Sequence, residues 1–146
     1  MNEIFTQDDR HYISLLQENI NRMASTRANS KIWLATLATA IAALNFSREG
    51  NLLIWIAVVM VVVFYLMDCL YLSLERKYLH LMQTFVRYCK KGDDEKRRAM
   101  LYNLDISAVH EAPTTFLSAM KSGRTLPYYL ILFLIALAIS LFPLFS

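Results

Sequence analysis

Asp68 is the natural starting point for the chemistry of this chain, because it is the one charged residue in an otherwise apolar run over residues 52–74. A carboxylate inside a bilayer costs about 2.5–3.5 kcal/mol on insertion scales, so it marks a partner, a pathway or a place at the water boundary. The sequence Ser47-Arg-Glu-Gly-Asn51 has turn chemistry, and a link that short joins antiparallel neighbours. Counting outward from Glu49 sets Asp68 against Ser30 and Lys31. The first reading is therefore an intramembrane ion pair in which Lys31 or Arg27 neutralises Asp68. A gate or pore-lining carboxylate and a solvated interfacial one are the alternatives.

Other constellations able to carry chemistry are not found in the sequence. His11, His80 and His110 are scattered, and no His-Glu-x-x-His, Cys-x-x-Cys or Gly-x-Ser-x-Gly occurs. With glycine only at Gly50, Gly92 and Gly123 there is no glycine-rich phosphate loop. The Arg-x4–6-His spacing of membrane-tethered helical ribonucleases also fails, since Arg76 and His80 stand too close together. No enzyme, cofactor or metal site is expected. Cys69 and Cys89 read as small apolar side chains held reduced. Lys96-Arg97-Arg98 reads as a solvated helix surface or as a contact to anionic lipid headgroups or a partner. No aromatic platform accompanies it, which argues against nucleic acid. Thr36, Thr39 and Ala43 share a face rich in small and hydroxyl residues, suited to close helix packing or to lining a narrow pore.

The elements that must position these residues follow from hydropathy. The chain is 56% hydrophobic with only three glycines and three prolines, unlike an ordinary soluble domain. Three apolar runs stand out, at 32–46, 52–74 and 126–145. At ~1.5 Å per residue the second covers about 34 Å, enough for a hydrocarbon core of about 30 Å with some tilt. The first, at about 22 Å, needs residues 28–31 or local thinning of the bilayer. The amino-terminal stretch up to Lys31 is polar and acidic, so no cleavable signal peptide is evident. Of the fifteen Lys and Arg residues, all but Arg48 precede the first run or lie between the second and third. The charge rule then predicts a cytoplasmic amino terminus and central region and a periplasmic carboxyl terminus.

The apolar runs do not end where the helices must. Neither glycine nor proline interrupts residues 7–45 or 52–91. Beyond Leu74, Tyr78, Leu81, Phe85 and Tyr88 recur at steps of three and four, and Tyr12, Ile13, Leu16, Ile20 and Met23 form a second apolar stripe before the first run. The antiparallel count faces Ile20 to Tyr78, Leu16 to Met82 and Ile13 to Phe85 as stalk contacts, and Met23 to Glu75. The predicted fold is an all-α membrane protein forming one domain over 1–146. An amphipathic helix at 7–46 continues into the first span. The second span, 52–91, continues into a cytoplasmic helix, and the two form a transmembrane hairpin with a cytoplasmic stalk. Short cytoplasmic helices occupy 92–124 and a third transmembrane helix 126–145, capped by Thr125.

Several of these segments resemble a known pattern. Tyr12-Ile-Ser-Leu-Leu-Gln-Glu-Asn-Ile-Asn-Arg-Met-Ala-Ser25, then Lys31-Ile-Trp-Leu34, then the stretch from Asp68 to Lys77 with Leu74-Glu-Arg, resemble small bacterial membrane proteins of the SLATT class. The resemblance covers residues 9–91. It implies an oligomeric inner-membrane effector of bacterial conflict systems, perturbing the membrane when a cytoplasmic partner encoded in the same operon senses infection. The third span and the lack of a fused sensor depart from the simplest form of that class. The alternative is a non-conducting anchor or accessory subunit that docks a soluble enzyme or sensor. Either way the expected partners are membrane lipid, further copies of the chain and a cytoplasmic protein.

Overall fold

A computed structural model describes residues 5–45, 52–107, 114–123 and 125–141. Residues 1–4, 46–51, where the sequence predicts the turn, 108–113 with His110, 124 and 142–146 lie outside the described residues. All regular structure among the described residues is helical: α1 (Gln7–Asn45), α2 (Leu52–Lys91), α3 (Asp94–Met100), α4 (Phe116–Met120) and α5 (Leu126–Leu141).

Local chemistry explains where the helices begin and stop. Asp9 N–H donates to Thr6 Oγ1 at 3.3 Å while Thr6 N–H donates to Asp9 Oδ2 at 2.7 Å, a reciprocal cap at the start of α1. Asp8 and Asp9 also sit at the positive end of its dipole. α2 runs unbroken until Gly92, whose φ of 69° turns the chain into the left-handed region. Gly92 N–H donates to Cys89 O and Asp93 N–H to Tyr88 O, the paired bonds of a glycine-terminated helix end. Asp93 then caps α3 by accepting from Lys96 N–H, and Thr115 caps α4 by accepting from Ser118 N–H.

At α5 the sequence expectation needs correcting. Thr125 immediately precedes the helix and is fully buried, but its hydroxyl has no hydrogen-bond partner among the described residues. Pro127 stands where one of the two N–H groups that such a cap would engage should be, so that donor does not exist.

The two long helices lie side by side and antiparallel, with α3, α4 and α5 all packed on α2. One core lies toward the amino-terminal end of α1: Tyr12 and Leu16 meet Leu81, Phe85 and Cys89. The rings of Tyr12 and Phe85 stand edge to face with centroids 4.7 Å apart. A second core joins Leu34, Val61 and Tyr129 of α5. The third seats Ala119 of α4 on Cys69 and Leu72.

Among the described residues, α2 is the one helix long and apolar enough to cross a membrane: an 18-residue stretch of it has mean hydropathy 2.3 and is only 28% buried. α5 is a shorter apolar helix.

Candidate functional site

Midway along the long pair, two cations and two carboxylates meet. Arg27 and Lys31, one turn apart on α1, face Asp68 and Glu75, two turns apart on α2. Arg27 Nε lies 2.7 Å from Asp68 Oδ1, and its Nη1 lies 2.7 Å from Glu75 Oε2. Lys31 Nζ approaches the second oxygen of Asp68 at 3.5 Å without a hydrogen bond. It also sits 5.4 Å from the centre of the Tyr128 ring. Asp68 has no exposed surface.

The arrangement is electrically neutral, and the guanidinium plane serves both carboxylates at once, a geometry an ammonium group cannot reproduce. Glu75 is the member that sequence counting missed, having set it opposite Met23. The signal was present in the seven-residue spacing of Asp68 and Glu75, which places both on one helix face. Arg27 is long enough to reach both.

The structure places the other sequence-derived residues as follows. Leu16 and Phe85 are fully buried in the first core, with Ile13, Tyr78 and Met82 packed around it. Ile20 is half-buried and outside that cluster. Cys89 instead completes it, and burial pushes its thiol pKa up, which keeps it protonated. Thr36, Thr39 and Ala43 all lie on exposed positions of α1. The threonine hydroxyls donate to the carbonyls of Ile32 and Ala35, at 3.0 and 2.9 Å.

The basic run Lys96-Arg97-Arg98 divides into three roles. Lys96 pairs with Asp93 at 3.1 Å, holding that carboxyl below its usual pKa range, and lies over the Tyr88 ring. Arg97 turns inward, 3.5 Å from the buried Asp9 and 3.2 Å from Asp94. Arg98 is exposed. Asp9, read from the sequence only as part of a helix start, thus also ties α1 to α3.

Further polar ties fix the short helices. Tyr12 donates its hydroxyl to Asn103 O, and burial pushes its pKa up to about 12. Ser73 donates to Thr114 O at 2.7 Å, and Tyr65 donates to Met120 O at 2.8 Å. Arg76 reaches Ser118 and Ser122, both at 3.4 Å. His11 stands 6.2 Å from the Tyr102 ring, and His80 is half-buried on α2. Among the described residues no group of three His, Cys, Asp or Glu is placed to hold a metal ion.

Among the described residues, fold and site together define an all-helical protein with one membrane-length apolar helix and a neutral charge cluster built around the buried Asp68. The sequence matches no protein-family model and no curated protein, and the fold matches no solved structure.

Proposed function

We propose that this chain is a non-enzymatic, oligomeric effector of the bacterial inner membrane that perturbs or permeabilises the bilayer. It acts in anti-phage defence under the control of a cytoplasmic partner from the same operon. In this reading α1 and α2 cross the membrane as a hairpin and α5 crosses it a third time. The amino terminus is cytoplasmic and the carboxyl terminus periplasmic.

The observation that carries the reading is the exposed small-residue face of α1. Thr36, Thr39 and Ala43 point away from α2, and their neighbours Ile32 and Trp33 are 65% and 64% exposed. Such a face permits close approach of another helix, and a head-to-tail contact repeated between copies closes a ring when its rotation divides a full turn. Three packed helices enclose no lumen, so conduction requires several copies, with this face as the candidate lining. The resemblance to the SLATT class supports the same role.

The test compares dye leakage from liposomes carrying wild type and Thr39→Leu at matched protein levels, with any required activator present. Leakage that changes in Thr39→Leu with insertion intact supports the reading. Intact oligomers that leak in neither case favour the anchoring subunit instead. One observation speaks for that second reading: Arg87, Lys90, Lys91 and Arg98 are all exposed around the end of α2, a basic surface able to receive an acidic protein.

A further inference from the structure

Beside the charge cluster, on a different face of α2, lies an open groove of about 600 Å³. Its floor is a single helical stripe of Met67, Leu70, Tyr71 and Leu74, and the start of α4 forms a wall through Phe116. Lys77 closes one end and, among the described residues, is the only charged side chain in the lining. Ser73 also borders the groove, but its hydroxyl is spent on Thr114 O. The groove therefore offers an apolar trough with one cation at its mouth.

The dimensions select the occupant. From Met67 to Lys77 the helix rises about 15 Å, the depth of one leaflet of a hydrocarbon core about 30 Å thick. The trough spans the point where α2 changes from apolar residues to Glu75-Arg76-Lys77, so its apolar part and its cation match the two parts of a lipid. Its volume is that of a small-molecule site, which about 300–1,000 Å³ describes.

We propose that this groove binds one anionic phospholipid of the cytoplasmic leaflet, its acyl chain along the Met67–Leu74 stripe and its phosphate at Lys77. The assignment rests on the membrane placement given above. A single lysine near an anionic surface corresponds to a preference of about fivefold over a zwitterionic lipid.

The experiment is native mass spectrometry of the full chain in detergent with equal phosphatidylglycerol and phosphatidylcholine added. Wild type should retain phosphatidylglycerol about fivefold over phosphatidylcholine. Lys77→Gln should bring the two to parity while lipid is still bound, and Leu70→Trp, which fills the trough, should lower retention of both. Unchanged retention and preference in both variants means adventitious lipid only and overturns the proposal. So does a Leu70→Trp protein whose oligomeric state changes while its bound lipid does not, because a second copy then occupies the groove. Should circular dichroism show Leu70→Trp misfolded, Lys77→Gln decides alone. Alkaline carbonate extraction separates the two levels: a chain released from membranes fails the membrane reading itself, whereas a retained chain without lipid preference fails only the groove.

Discussion

At the scale of single residues, Arg27 has the most to lose by substitution. Replacing it with Met leaves Asp68 with the 3.5 Å contact of Lys31 and takes from Glu75 its 2.7 Å guanidinium partner, and stranding a buried charge costs about 3–5 kcal/mol. Arg27→Met is therefore expected to lower the thermal midpoint in detergent sharply. Adding Asp68→Asn should recover part of the loss by removing the stranded charge. Lys31→Met, which gives up a 3.5 Å contact that is partly solvated, should cost about 1 kcal/mol or less; equal damage from Lys31 and Arg27 would invert this ordering. Tyr12 makes a pH-dependent contribution. Its pKa is raised from about 10 to about 12, so the buried phenol supports folding fully below pH 10. That support falls as pH rises toward 12, because only the unfolded chain then ionises freely. Alkaline unfolding followed by circular dichroism should show a shallower dependence over that interval in Tyr12→Phe. The sequence named Asp68, Arg27 and Lys31 as one group, since hydropathy isolates the carboxylate and the turn fixes the count. It missed Glu75 as a partner of Arg27 and, having placed Asp9 correctly at a helix start, missed its contact to Arg97, because side-chain reach and long-range partners leave no periodic trace.

At the scale of elements, the long helices were legible through what they lack: no glycine or proline falls within either, and both caps are spelled by local residue types. The facing of α1 and α2 was legible only approximately. Counting from Glu49 put Ile20 on the seam, whereas the buried set is Tyr12, Leu16, Leu81, Phe85 and Cys89. Such counts carry an error of one residue or so, and one residue rotates a helix position by about 100°. Leu16→Asp, which buries a charge at a fully enclosed site, should abolish stable folding, while Glu18→Ala on the exposed side should be nearly silent by expression level and oligomer integrity. Helix ends provide a sharper comparison. A Cβ at Gly92 or at Gly123 would touch nothing within 4 Å, but only Gly92 has positive φ. Gly92→Ala should cost about 1–2 kcal/mol through backbone strain alone. Gly123→Ala should be close to neutral, with both read from urea unfolding in detergent.

At the scale of the whole molecule, topology can be read directly. On the proposed topology, a reporter active only in the periplasm should work when fused after Ser146 and stay silent when inserted after Gly92; the reverse pattern would overturn that proposal. The short helices within 92–124 were legible, as α3 and α4 show, but their docking was not, because it depends on individual tethers such as Arg97 to Asp9 and Ser73 to Thr114 rather than on amphipathic repeats. One feature of α2 has a mechanical meaning. Its forty residues contain no hinge, so it behaves as a drive shaft about 60 Å long. A partner that grips the Gly92 end cannot bend the shaft at the water boundary; it must turn or tilt the entire rod. Arg27 ties α1 to that rod at Asp68 and at Glu75, seven residues or about 10 Å of helix rise apart, so any turn of the rod against α1 has to part both contacts.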